Sequence, residues 1–255
     1  MTVEPPVLAT PARFWMHHAW LVLLLFTGTA CVFATTQLDV AIAQALFFDS
    51  QAERWFGADS WFVNELIHTG GRWAVRVVAF ASLVLWMSSF FVDSTRRWRR
   101  SAGYFLSAMV LTVGVVGMLK SVTNVDCPWD LAAFGGRSPH IDLFSPRPPE
   151  LPRARCFPAA HASSGYAFMA LYFLARERSR VLAQIGLGIG LFLGVVFGVA
   201  QQSRGAHFVS HDLWSAFFGW LIPLTLYTFA FGGHLYRGSL STASRCSQRA
   251  QVPSR

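Results

Sequence analysis

Charge is scarce in this sequence. Asp, Glu, Lys and Arg make up 13% of its 255 residues, against 53% hydrophobic ones, whereas about a quarter of the residues of a soluble domain are charged. A soluble globular fold is therefore disfavoured and a membrane protein expected. Acid is scarcer than base, with 13 Asp and Glu against 21 Lys and Arg and a formal net charge of +8, so a nucleic-acid partner has to be weighed. No internal repeat and no low-complexity segment stands out. The first apolar run follows a proline-containing leader and precedes TTQLDV, with no small-residue cleavage site, so it reads as a retained span rather than a signal peptide.

What the chain has instead is long apolar runs. About 20 apolar residues cross the hydrocarbon core as a helix, and six runs qualify: residues 18–36, 73–92, 101–119, 161–175, 181–200 and 213–232. The expected fold is all-α, a polytopic membrane protein with a six-transmembrane-helix bundle. Residues 1–17 form a cytoplasmic leader with little order, 18–235 the membrane domain, and 236–255 a disordered cytoplasmic tail. The basic residues sort by side. Arg96, Arg97, Arg99 and Arg100 lie between spans two and three, Arg176, Arg178 and Arg180 between spans four and five, and Arg237, Arg245, Arg249 and Arg255 in the tail. With both termini cytoplasmic, all of these fall on the cytoplasmic side, as the positive-inside rule requires. The positive charge then reports orientation, and no nucleic-acid partner is expected.

The remaining segments, 37–72, 120–160 and 201–212, face outward. Residues 38–48 have apolar positions at helical spacing and are followed by Trp55, Trp61 and Phe62, a pattern of an interfacial helix with aromatic anchors at headgroup level. His68 and Arg72, four apart in ELIHTGGRW, share a helix face if the glycine pair does not break it. They suit either an anionic headgroup or a snorkelling arginine beside an interfacial histidine. The 121–160 loop is long and stiffened by prolines. It contains Cys127 and Cys156, and an oxidising outer compartment permits a disulfide between them.

The stretch QQSRGAHFVSHD, residues 201–212, places an arginine, two histidines and an aspartate between two apolar spans, where ionisable groups are costly and mark a functional site by default. Topology puts Lys120, at the end of span three, and His161, at the start of span four, on the same face. One lysine, one arginine and three histidines without a carboxylate-rich cluster make a pocket for an anion, and the natural anion is phosphate. Lysine and arginine neutralise its oxygens. A neutral histidine held through one ring nitrogen can attack phosphorus, and a second can protonate the leaving oxygen. No metal and no cofactor are expected.

These residues resemble the three-part signature of the type 2 phosphatidic acid phosphatase superfamily, over roughly residues 101–220. The family pattern is lysine, six residues, Arg-Pro; then Pro-Ser-Gly-His; then Ser-Arg, five residues, His, three residues, Asp. Here Lys120 precedes Cys127-Pro128, Pro158 leads through Ala159 and Ala160 to His161, and His207 is followed four residues later by His211 and then Asp212. The resemblance implies a six-helix bundle with an outer-face site, Lys120 as phosphate ligand, His161 as general acid and His207 as nucleophile. Position makes His211 the residue that orients His207, with Asp212 the competing orienter and His211 the competing nucleophile. Cys127 stands where the family has arginine, so Arg137, Arg153 and Arg155 in the same loop are candidate replacements. Gln201 stands at the third-motif arginine, and Arg204, three residues on and close to one helical turn away, is the candidate for its role.

The function expected from this resemblance is a metal-independent phosphatase or phosphotransferase acting on a membrane lipid phosphate or pyrophosphate through a phosphohistidine. The implied location is the outer face of a bacterial-type inner membrane, and the oligomeric state stays open. Undecaprenyl pyrophosphate, phosphatidylglycerol phosphate, phosphatidic acid and the phosphates of lipid A all fit. The alternative is a non-catalytic bundle that binds or conducts an anion through the same cluster.

Overall fold

A computed structural model describes residues 11–143 and 145–232, and they are mostly helical. Among the described residues, five helices are long and apolar enough to cross a membrane: α1 (Ala12–Thr35), α3 (Phe62–Ser88), α5 (Arg99–Val122), α8 (Arg180–Ser203) and α9 (Val209–Phe231). Between them lie the short helices α2 (Leu38–Leu46) and α4 (Asp93–Arg96). The central helices are α6 (Ala160–Tyr166) and α7 (Ala170–Ala175), joined by one tighter turn. A two-residue antiparallel hairpin pairs β1 (Phe48–Asp49) with β2 (Arg54–Trp55). The chain is a helical membrane protein.

The expected fourth span, 161–175, is the broken segment α6–α7. At about 1.5 Å per residue it falls short of the roughly 30 Å hydrocarbon core. It does not have to face lipid. Ala162, Ser163, Gly165, Ala167, Met169, Ala170 and Phe173 are all buried, and the surrounding helices shield it. Glycines make that packing possible. A Cβ on Gly165 would lie 2.6 Å from the backbone nitrogen of Gly194, and side chains on Gly194 or Gly219 would overlap Tyr166. By contrast α1 and α3 bury none of their apolar windows inside the protein, as expected of helices that face acyl chains.

Three sequence expectations change. Residues 12–17 are not a loose leader, because helix α1 already includes them and Phe14 is 1% exposed. Phe14 stacks on His18 and carries the Arg176 guanidinium 4.4 Å above its ring, so aromatic packing extends the helix toward the N-terminus. The second span begins at Phe62 rather than Trp73, since Gly70 and Gly71 continue the helix. Gly71 admits the ring of Phe197, which a Cβ would approach to 2.6 Å. Trp55 is a core residue and not a headgroup anchor: it is 8% exposed and packs with Phe48, Phe134 and Phe208 in a cap at the end of the bundle that carries α2 and the hairpin. Trp61 and Phe62 are exposed, at 68% and 56%. The expected tail, 236–255, lies outside the described residues.

Candidate active site

Lys120, the chain's single lysine, lies in the last turn of α5. Beyond it, a disulfide joins Cys127 to Cys156, 29 residues apart in sequence. The Cys156 sulfur lies 2.7 Å from the Ala206 carbonyl oxygen and 3.6 Å from His207 Nδ1. A disulfide sulfur has no proton to donate, so these are packing contacts that press the third motif against the loop. The second motif is tied to the third through hydrogen bonds. Ala159 N–H donates to the His211 carbonyl at 3.3 Å, and the Ser215 hydroxyl reaches the Ala159 and His211 carbonyls at 2.9 Å.

His207 and His211 face each other with their Nδ1 atoms 3.3 Å apart. One ring donates and the other accepts, so the accepting ring is neutral, and each Nε2 lies on the far side of its ring. His207 is 5% exposed and His211 3%. Burial, reinforced by the neighbouring His211 ring and the Lys120 ammonium, pushes His207 well below its ordinary value of 6.5. Asp212 does not serve this pair. Its carboxylate accepts from Gln202 Nε2, in a space that Gly198 leaves free on α8.

His161 stacks on Phe197, with ring centroids 4.4 Å apart, and its Nε2 is buried without a hydrogen-bond partner. Gln201 Nε2 is also buried and unpartnered, while its Oε1 accepts from Arg204 at 3.3 Å. Buried polar atoms usually have partners, and these two remain available to a bound group. From α3, His68 meets His161 edge-on at 4.9 Å, and the charge of Arg72 acts on both His161 and Arg204. The fold thus gathers Lys120, His161, Arg204, His207, His211, His68 and Arg72 at one end of the bundle. Arg137 and Arg155 are exposed, and neither hydrogen-bonds a side chain of this group. Arg153 donates to the Ser121 carbonyl.

Cys156, His207 and His211 offer ligand atoms within 4.8 Å of one another, yet the trio does not suit a metal. The disulfide removes the thiolate, and the two Nδ1 atoms are engaged with each other.

The PAP2 superfamily model matches residues 101–233, slightly more than half of the chain. The chain belongs to the PAP2 superfamily. That superfamily generally comprises phosphatases acting on phosphate esters. No curated protein and no solved structure matches the chain. The PAP2 match runs from α5 to α9, so α2 and α3 lie outside it, although α3 supplies His68 and Arg72.

From α2 comes a residue that sequence reasoning missed. The Asp39 carboxylate accepts the Ser210 N–H at 3.0 Å and so caps α9 between His207 and His211. Burial pushes its carboxyl up, opposed by the hydrogen bonds from Ser210 and Val209. Its only sequence signal was an acid in the first turn of a short amphipathic helix, with nothing to announce a partner 171 residues away. Asp39→Ala is expected to cost about 1 kcal/mol, as for a lost helix cap, and to lower kcat more than it raises KM. Asp39→Asn, which keeps an acceptor oxygen, should recover most of both. Equal kcat in Asp39→Ala and wild type would show that the cap does not position the histidines.

Proposed function

We propose that this PAP2-superfamily protein is a metal-independent phosphatase of membrane lipid phosphates or pyrophosphates that works through a phosphohistidine on His207. The observation that carries this reading is the Nδ1-to-Nδ1 contact of His207 and His211, which holds a neutral imidazole with its other nitrogen free to attack. In the first step the lone pair of His207 Nε2 forms a bond to phosphorus, the bond from phosphorus to the lipid oxygen breaks, and His161 gives that oxygen a proton. The negative charge of a bound phosphate favours a proton on His161 Nε2. In the second step water attacks the phosphohistidine, its proton passes to His161, and inorganic phosphate leaves. Lys120, Arg204 and Arg72 neutralise the phosphate oxygens, and Gln201 Nε2 adds a neutral donor where the family has arginine. An acceptor alcohol in place of water would make the same site a phosphotransferase.

The site lies on the outer face of a bacterial-type inner membrane in this reading, which the arginine asymmetry supports. Undecaprenyl pyrophosphate, phosphatidylglycerol phosphate, phosphatidic acid and lipid A phosphates are the substrates to try. The test is phosphate release from that panel by purified protein in excess chelator. Release that disappears in His207→Ala supports the enzyme, and retained anion binding without release from any lipid favours a binding protein instead.

The depressed His207 value has its own consequence. A histidine at 6.5 is mostly protonated at about pH 6, whereas His207 should still be neutral there. Nitrogen-15 spectra of histidine-labelled protein, assigned against His207→Ala, check this. A His207 ring already charged at that pH would remove the nucleophile from the scheme.

A further inference from the structure

At the opposite end of the bundle from Lys120, α3, α4 and α5 line an open cavity of about 470 Å³. Its lining includes Arg96, Arg97, Arg99, Arg100, Trp86 and Ser107, and it contains no carboxylate. The second cavity, beside His211, is different in kind, with Asp39, Asp126 and Asp142 among its lining residues. Among the described residues the single ion pair joins Arg147 to Asp126, so none of the four arginines has an acidic partner, although Asp93 begins the same short helix as Arg96. Three of the four are held in place by other means, Arg97 lying 5.4 Å over the Trp98 ring. Arg99 donates to the Ser89 carbonyl and lies 4.2 Å over the Phe90 ring, and Arg100 lies 4.6 Å over Phe231. The rim is apolar and uncovered: Phe90 is 49% exposed, Phe91 82% and Val92 47%. Exposed aromatic and aliphatic side chains beside a ring of guanidinium groups are the arrangement of a membrane-water boundary.

We propose that this cavity binds the headgroup phosphate of an anionic phospholipid in the leaflet opposite the candidate active site. Four guanidinium groups offer forked donors to phosphate oxygens, the Ser107 hydroxyl and the Trp86 indole N–H add neutral donors, and acyl chains continue over the exposed Phe90 to Val92 rim. A soluble anion would engage the arginines and gain nothing from that rim. The lipid choice follows from the rim and the charge together. Basic pockets between membrane helices are suited to acidic headgroups, at roughly 1 kcal/mol per basic residue near the surface. The site does not depend on the catalytic reading, since the α5 helix separates the two by its full length.

The test uses full-length His207→Ala protein, freed of lipid in detergent and titrated with dioleoyl phosphatidylglycerol while intact complexes are weighed by mass spectrometry. Dioleoyl phosphatidylcholine is the neutral control and inorganic phosphate the soluble one. One bound phosphatidylglycerol is expected that phosphatidylcholine does not displace. Arg96→Gln with Arg97→Gln, both exposed positions, should weaken it on the order of 10- to 30-fold. Arg54→Gln with Arg180→Gln, exposed positions outside the cavity, should leave it unchanged. Ser107→Trp, which fills the cavity and keeps every charge, should also weaken it. Wild-type affinity in the Arg96 and Arg97 double variant overturns the proposal. So does equal competition by phosphatidylcholine, or displacement by inorganic phosphate at matched concentration.

Discussion

His207→Ala is expected to leave no measurable turnover, a loss of at least about 10⁴-fold, because a missing covalent nucleophile has no substitute of comparable reactivity. His211→Ala should be damaging but not complete. It removes the partner 3.3 Å from His207 Nδ1, and a water in the vacated space can accept the same N–H, so a fall on the order of 10²- to 10³-fold is expected. Asp212→Asn should matter least of the three. Its carboxylate is bonded to Gln202 and not to the histidine pair, and an asparagine oxygen can accept from Gln202 in the same way. Rapid-quench labelling with a radioactive lipid phosphate separates the roles. Phosphate trapped on His211, or a His207→Ala protein that still turns over, would assign the nucleophile to the other histidine.

Replacing Cys127 and Cys156 together with alanine is expected to cost about 3 to 4 kcal/mol of unfolding free energy by the loop-closure estimate for their spacing. The effect should reach the site as well as the fold. The bond anchors the segment that leaves α5 after Lys120 to the residue whose sulfur packs 2.7 Å from the Ala206 carbonyl and 3.6 Å from His207 Nδ1. Without it, the cap is held by weaker contacts, such as Arg147 paired with Asp126. A lower midpoint in denaturant-detergent titrations and a reduced kcat are both expected. Equal stability of the double variant and wild type would remove the disulfide from the account of the fold, as would two free thiols in wild-type protein isolated under thiol-blocking conditions.

Much of the bundle was legible in the chain because lipid imposes a one-dimensional rule. An apolar helix that faces acyl chains must be apolar along its whole length, so α1, α5, α8 and α9 appear as unbroken runs. The rule loses force where protein replaces lipid. The α6–α7 segment is interior, so it can be short and broken and still have its backbone satisfied. The start of α3 was obscured because Gly70 and Gly71 suggest a break by propensity, whereas Gly71 is needed where the Phe197 ring approaches. Trp55 looks like an interfacial anchor by composition. Its position under Gly205, whose φ is +73° and whose Cβ would overlap the indole, is a contact between residues 150 positions apart.

The sequence by itself determined the class of protein, the order of the three motifs and the gathering of Lys120, His161 and His207 at one end of the bundle. Hydropathy and motif spacing are local properties that can be read without tertiary information. Which side chains touch was decided by the tertiary structure alone. Motif spacing left His211 and Asp212 as rivals to support His207. Adjacent residues on a helix point about 100° apart, and the placement of α8 and α9 turns Asp212 toward Gln202 and Gly198 while His211 meets His207. No local pattern announced that the charge of Arg72 would act on Arg204, or that Asp39 would cap the first turn of α9, because both arise only after α3 and α2 have packed against helices that come more than 100 residues later.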